Sequence, residues 1–228
     1  MTKGKVGAVI VSAGQSQRMN GINKAFAALA GRPLLTWVLD AFQRCGVVNE
    51  TVLVLHRDSL DQGQKLLDQY QWSKVVALCQ GGARRQDSVQ VGLKNLTDCA
   101  WVVIHDGARP LVTAEIIERG LEKARQTGAA VAAVPVKDTV KLASPDNLVE
   151  YTPQRDTLWS VQTPQVFDFE LISQAHQQVS EDVSDDSMMV ESLGHRVKLY
   201  MGSYENIKVT TPEDLALAEA IVRERECA

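Results

Sequence analysis

Three short stretches of this chain gather cations, glycines and a carboxylate in a pattern suited to polyphosphate chemistry. The first is Ser12-Ala-Gly-Gln-Ser-Gln-Arg-Met-Asn-Gly-Ile-Asn-Lys24, which carries Arg18 and Lys24 and no acidic residue. Backbone N–H groups around Ala13 and Gly14, joined by two positive charges, can wrap a triphosphate. A plain connector of this length without Asp or Glu is unusual, so nucleotide handling is favoured over a solvated surface loop. The loop has neither the G-x-G-x-x-G of dinucleotide folds nor the G-K-[ST] of a P-loop, which argues against both of those classes.

The second stretch is Gly81-Gly-Ala-Arg-Arg-Gln-Asp-Ser88. Paired glycines at 81 and 82 let backbone come close to a flat base. Ser88 is expected to open a helix, where its hydroxyl either caps that helix or donates to a ligand. The third stretch is His105-Asp-Gly-Ala-Arg-Pro110. Asp106 ends an apolar run and is placed to hold Mg²⁺ bridging phosphates; the plainer reading is a turn aspartate. Arg109 either braces its loop or touches a phosphate, and bracing is the better expectation.

All three stretches need a scaffold that delivers them to one edge. Apolar runs predict strands at Val6–Val11, Thr51–Leu55, Lys74–Leu78, Trp101–His105 and Ala129–Val136. Helical spacing fills the intervals: from Pro33, at the first helical position, to Gly46, then Asp58–Tyr70, Ser88–Leu96, and Thr113, as N-cap, to Gly128. Continuous apolar strands alternating with helices predict an α/β, Rossmann-like, mostly parallel sheet with helices on both faces. In such sheets ligands bind beyond the carboxyl ends of the strands, where the three stretches fall. After Pro135 the pattern changes. Thr139–Leu142 and Leu148–Thr152 around Ser144-Pro-Asp-Asn147 predict a protruding β-hairpin, read as a dimerisation arm or a plain surface hairpin. A helix at Phe169–Val179, an acidic loop at Ser180–Asp186, a short helix to Leu193, a strand at Arg196–Met201 and a C-terminal helix from Thr211 complete the chain.

The 228 residues suit one domain, with the arm inserted at about 137–157. A hydrophobic content of 45% with 23% charged residues is that of a globular chain, and a net charge of −4 argues against nucleic-acid binding by a general basic surface. Cys45, Cys79, Cys99 and Cys227 form no C-x-x-C pair and no metal-site spacing, which fits reduced thiols in a cytoplasmic setting. No stretch has the length of a membrane span or the pattern of a signal peptide.

Taken together, Ser12-Ala-Gly14, Arg18, Lys24, Gly81-Gly82, Arg85, Ser88, His105–Pro110, Pro135-Val-Lys-Asp-Thr-Val-Lys141, Thr163-Pro-Gln165 and Asn206-Ile-Lys-Val-Thr-Thr-Pro-Glu-Asp-Leu215 resemble the 2-C-methyl-D-erythritol 4-phosphate cytidylyltransferase family. The first loop is shared with many nucleotidyltransferases, whereas the later segments are far more specific. The resemblance implies a Mg²⁺-dependent homodimeric enzyme of isoprenoid biosynthesis that joins CTP to a polyol phosphate. By position, Arg18 and Lys24 would grip the CTP phosphates and stabilise charge developing at the α-phosphate. Ala13, Gly82 and Ser88 would recognise cytosine, and Asp106 would sit by the metal. Thr139 and Arg155 would reach the acceptor across a dimer interface, Lys208 would hold its phosphate, and Thr163 would line the site. Because the acceptor phosphate is already ionised, no general base is needed, and His105 reads as structural. The chain departs from the family's usual pattern at Val11-Ser-Ala-Gly14, Asn23-Lys-Ala25, Asp106-Gly-Ala108 and Ser184-Asp-Asp-Ser-Met188. Ribitol-5-phosphate cytidylyltransferase is the nearest alternative and differs in acceptor. A non-catalytic nucleotide-binding module is an alternative of another class, disfavoured because a sensor needs no acceptor-side cation such as Lys208.

Overall fold

The computed structural model describes residues 4–14 and 24–227. Its scaffold starts from β1 (Lys5–Ser12), which is buried almost throughout. Side chains alternate across a strand, so Ala8 and Ile10 enter one core and Val9 and Val11 enter another. A strand apolar on both faces is stable only if both faces are covered. The short pair β2 (Ala28–Leu29) and β3 (Arg32–Pro33) leads into α1 (Leu34–Arg44). The chain continues through β4 (Glu50–Leu55), α2 (Leu60–Tyr70), β5 (Val75–Gln80), α3 (Arg85–Lys94), β6 (Cys99–Asp106), α4 (Ala114–Thr127) and β7 (Ala129–Pro135). It ends with β8 (Leu142–Ala143), β9 (Val149–Tyr151), β10 (Trp159–Asp168), α5 (Phe169–Gln178), α6 (Asp186–Ser192), β11 (Lys198–Met201) and α7 (Pro212–Cys227).

The main sheet has seven strands in the order β11-β7-β10-β6-β1-β4-β5. Strands β5, β4, β1 and β6 are mutually parallel neighbours, and β11 runs parallel to β7. Leu35 and Phe42 of α1 and Ile117 and Leu121 of α4 pack on one face with Ile10 and Leu53. Val89 and Leu93 of α3 and Ile172 of α5 pack on the other with Val9 and Val52. The order reverses at β1, with β4 on one side and β6 on the other, so the crevice for a ligand opens beyond Ser12 and Asp106.

One central strand escapes the sequence reading. β10 runs antiparallel between β6 and β7. Its segment Trp-Ser-Val-Gln-Thr-Pro-Gln-Val-Phe-Asp offers little apolar continuity, and an internal proline argues against a central strand. The structure resolves the conflict by shifting register between Val161 and Gln165, so Pro164 falls in the irregular step, preceded by a cis peptide bond.

Other boundaries also move. Pro33 is the N-cap of α1 and not its first residue. Helix α3 begins at Arg85, three residues ahead of the predicted start at Ser88. The predicted hairpin strands shrink to a two-stranded ribbon in which Leu142 pairs with Tyr151 and Ala143 with Val149. Cys45, Cys79 and Cys99 are free thiols.

Candidate active site

The end of β1 and the end of β6 are tied side by side. Val11 pairs with Asp106, and the Gly107 N–H donates to the Val11 carbonyl at 2.8 Å. The crevice above them holds two adjoining pockets that share Arg85, Asp106 and Lys208 as a common wall. The pockets differ in charge. Lys24, Arg84, Arg85 and Lys208 face a single carboxylate, Asp106, in the first. In the second, Arg85, Arg109 and Lys208 are matched by Asp106, Asp185 and Glu191. The first therefore suits a polyphosphate, and the second suits a smaller anion bearing hydroxyls.

The shared wall is an ionic ladder. Lys208 Nζ lies 2.7 Å from Asp106 Oδ2, Arg85 Nε lies 3.0 Å from Asp106 Oδ1, and Arg85 Nη1 lies 2.6 Å from Asp186 Oδ2. Burial alone would raise the carboxyl pKa of Asp106, but Arg85 and Lys208 hold it well below the usual carboxylate range. Asp186 is fully buried and is also lowered, because Arg85 and His176 outweigh its desolvation. For Arg85 burial works against the charge, and Asp186 and Asp106 raise its pKa nonetheless. Asp106, Asp186 and Arg85 are thus all ionised at neutral pH.

Behind the wall lies a hydrogen-bond chain built around a neutral imidazole. His105 is completely buried, and burial depresses its pKa to about 4. Its Nε2 lies 3.1 Å from the Arg109 carbonyl oxygen, which can only accept, so Nε2 carries the proton. Nδ1 must then accept, and the Thr163 hydroxyl, 3.0 Å away, donates to it. Thr163 Oγ1 in turn accepts the Asp106 N–H at 3.0 Å. Arg109 donates from Nη1 to the Asn206 carbonyl at 2.8 Å, and Asn206 Nδ2 donates to the Thr163 carbonyl at 2.8 Å. This closed circuit joins the end of β6, the irregular step of β10 and the segment before Lys208. His105 has no nitrogen left for a substrate proton.

The glycine pair is set by packing. A side chain at Gly81 would collide with the Ala13 methyl and the Ser88 hydroxyl, and one at Gly82 with Asp87. Ser88 caps nothing, contrary to the first of its two sequence readings. It lies inside α3, where its hydroxyl donates to the Arg84 carbonyl and accepts the Gly82 N–H, both at 3.1 Å. At the helix start, Asp87 accepts the Arg84 N–H at 3.0 Å.

The crevice therefore brings together Ala13, Gly14, Lys24, Gly82, Ser88, Asp106 and Lys208, with Arg109 and Thr163 in the second pocket. Thr139 and Arg155 are exposed and line neither of these pockets; Arg155 Nη1 donates to the Lys137 carbonyl at 3.4 Å. Arg18 lies outside the described residues. Sequence reasoning missed Asp186, which stood in a run read merely as an acidic loop, and gave Arg85 no role.

As a metal site the donor set is sparse. No cluster of three potential ligands occurs among the described residues. Among the described residues Asp106 is the one acidic side chain in the lining of the first pocket, and each of its oxygens already carries a cation. One lone pair remains on each oxygen. Asp106 would therefore give Mg²⁺ a single protein ligand, and the remaining ligands would be phosphate oxygens and water.

Comparisons with known proteins agree with this geometry. The profile of the 2-C-methyl-D-erythritol 4-phosphate cytidylyltransferase (IspD) family matches residues 6–224. The enzyme of that name from Dehalococcoides mccartyi strain 195 is 51% identical over 219 residues, covering 96% of each chain. That from Alkaliphilus oremlandii is 45% identical over 227 residues, covering 97% of this chain and 96% of the relative. Among solved structures, 4-diphosphocytidyl-2C-methyl-D-erythritol synthase from Anaerococcus prevotii superposes with a TM-score of 0.87 at 32% identity, covering 97% of both chains. The 2-C-methyl-D-erythritol 4-phosphate cytidylyltransferase from Thermus thermophilus superposes with a TM-score of 0.78 at 33% identity, covering 96% of this chain and 99% of its own. With the family profile spanning both halves of the crevice, from β1 to Lys208, the chain belongs to the 2-C-methyl-D-erythritol 4-phosphate cytidylyltransferase family.

Proposed function

We propose that this enzyme transfers the cytidylyl group of CTP to the phosphate of 2-C-methyl-D-erythritol 4-phosphate, giving 4-diphosphocytidyl-2-C-methyl-D-erythritol and pyrophosphate in isoprenoid biosynthesis. The observation that carries this reading is the common wall of Arg85, Asp106 and Lys208 between a cationic pocket and a charge-balanced one. CTP occupies the first pocket and the polyol phosphate the second, so the attacking oxygen and the α-phosphorus meet at the wall. A bond forms from the acceptor phosphate oxygen to the α-phosphorus. The bond from that phosphorus to the bridging oxygen breaks, and its electron pair leaves with pyrophosphate.

Bringing two anions together is the main barrier, so catalysis is positioning plus electrostatics. Lys24 and Arg18 neutralise the nucleotide phosphates, and Lys208 holds the acceptor phosphate. The saturated, neutral state of His105 supports a mechanism without a general base. Mg²⁺, when bound, supplies further neutralisation of the phosphates, with Asp106 giving it at most one ligand. Thr139 and Arg155 serve the second pocket of a partner copy, which accords with their exposure and their absence from the lining of both pockets of their own chain. The exposed apolar side chains Leu142, Leu148, Val149 and Tyr151 on the ribbon support such a homodimer. No helix of the described residues is long and apolar enough to cross a membrane, and the free thiols support a cytoplasmic setting.

The test is pyrophosphate release from CTP and Mg²⁺ with 2-C-methyl-D-erythritol 4-phosphate or ribitol 5-phosphate as acceptor. Release with the first is expected. Release with ribitol 5-phosphate alone would reassign the acceptor, and release with neither would remove the transferase reading.

A further inference from the structure

The buried end of the ionic ladder is absorbed by none of the roles above. Asp186 has no exposed surface and sits on α6, on the far side of Arg85 from the reacting groups. Its place at the first position of α6 does not explain its charge. Asp185 is the N-cap, accepting the Met188 N–H at 3.0 Å, and Gln165 Nε2 donates to Asp185 Oδ2 at 2.7 Å. Asp186 instead gives one oxygen to Arg85 at 2.6 Å, and its other oxygen lies 3.6 Å from His176 Nε2. A buried carboxylate is costly unless it is paired. A surface ion pair would have served the helix without burying a charge.

The segment around Asp186 is also tied to α3 on either side of Arg85. Arg84 Nη1 donates to the Ser180 carbonyl at 2.9 Å, and Gln86 Nε2 donates to the Glu181 carbonyl at 3.0 Å. The Val183 N–H returns a bond to Gln86 Oε1 at 3.3 Å. Arg84, Arg85 and Gln86 together therefore lock the acidic loop and the start of α6 onto the floor of the site. Within that lock the guanidinium of Arg85 spans two carboxylates, Asp106 through Nε and Asp186 through Nη1. A lysine has a single ammonium and no such fork.

We propose that Asp186 is a positioning residue for the transfer reaction: it fixes Arg85 so that Asp106 is clamped from one side and orients Lys208 from the other. Lys208 is the outermost and most exposed member of the ladder, its side chain 40% exposed against 10% for Asp106 and none for Asp186. The position of its ammonium is therefore set from the buried end outward. The inference rests on the proposed placement of the acceptor phosphate at Lys208, and it predicts that a change at Asp186 is felt mainly by the acceptor.

The test uses the full-length enzyme with CTP, Mg²⁺ and 2-C-methyl-D-erythritol 4-phosphate. Turnover by the wild type checks the functional reading by itself; the variants check the inference. Asp186→Asn keeps the shape of the side chain and removes its charge. Its kcat/KM for the acceptor should fall on the order of 10²-fold, the cost of misplacing a reacting group by about an ångström. The KM for CTP should stay within about twofold. Combined with Arg85→Met, the same substitution should cause little further loss, because the two act as a unit. An equal additional loss in the Arg85→Met background, or an unchanged acceptor kcat/KM in Asp186→Asn, would overturn the proposal. Should Asp186→Asn fail to fold, Arg85→Lys decides the matter at a half-buried position. Its single ammonium cannot reproduce the fork by which Nε and Nη1 hold the two carboxylates apart, so it should show the same acceptor-selective loss, and wild-type kinetics in Arg85→Lys would refute the clamp.

Discussion

The closed circuit behind the site makes stability depend on pH through one side chain, His105. The imidazole is wholly buried, 5.3 Å from the Phe42 ring centroid, and both its nitrogens are engaged in the neutral form. Protonation would place a second N–H against the Thr163 hydroxyl, which already accepts from the Asp106 backbone. Burial accordingly lowers the folded pKa from 6.5 to about 4. Between those values the unfolded chain binds a proton that the native state refuses. The stabilisation is therefore complete above the unfolded pKa, declines as pH falls through the window from 6.5 to about 4, and has no further to fall below it. The width of the window corresponds to about 2 kcal/mol lost by pH ~5 and about 3 kcal/mol by pH ~4, at 1.36 kcal/mol per unit. The assay is equilibrium denaturation of wild type and His105→Gln at pH ~7.5, ~5 and ~4, with only the pH dependence compared. Carboxylates that titrate over the same range contribute equally to both proteins and cancel. The wild type should lose about 2 kcal/mol more than the variant by pH ~5. Parallel pH profiles would show that His105 is not held neutral, and the tautomer argument would fall with them.

Three further outcomes are expected. Lys24→Ala should reduce kcat by about 10²–10³-fold if its charge follows the α-phosphate into the transition state; near-normal turnover would remove Lys24 from the chemistry. Gly107→Ala would bring a methyl to 2.8 Å from Ser12 Cβ and 3.4 Å from Leu35 Cδ1. That overpacking should cost about 1–3 kcal/mol in chemical denaturation, and an unchanged midpoint would mean that the junction of β1 and β6 yields more easily than it is packed. Arg155→Ala should raise the KM for the acceptor far more than that for CTP. Mixing it with Lys208→Met subunits should restore some activity, because one intact site forms in a mixed dimer; no recovery in a verified mixed dimer would deny Arg155 a role across the interface.

Much of the scaffold is legible because its strands are apolar on both faces. Val6–Val11 and Ala129–Val136 need no partner information to be read as buried strands, and Asp106 stands out as a carboxylate ending such a run. β10 is illegible for the opposite reason. Gln162, Thr163 and Gln165 are buried polar side chains, and their partners lie far away in sequence: Ser203, His105 and Asp185. Their hydrogen bonds make the strand possible, and no local pattern announces them. The same holds for Asp186, 101 positions from Arg85. The start of α3 is hard to place because arginine is a poor N-cap by type, so the serine that follows draws the boundary to itself.

The buried carboxylates also explain how a chain of net charge −4 builds a receptor for anions. Arg85 and Lys208 at one wall would repel each other and splay into solvent if nothing stood between them. Asp106 stands between them and is bonded to both, and Asp186 holds the inner cation from behind. Each carboxylate removes one unit of positive charge from the site yet converts a flexible side chain into a fixed one. For binding alone that exchange is unfavourable, since a looser and more positive pocket would attract CTP as well or better. For transfer it is favourable. The reaction requires two phosphates to be held at bonding distance, and cations that are already fixed need no reorganisation when charge shifts between them. The excess of cations in the first pocket and the balance in the second follow the same division. Under the proposed placement of CTP and acceptor, attraction is concentrated in the cationic first pocket and alignment is enforced in the charge-balanced second.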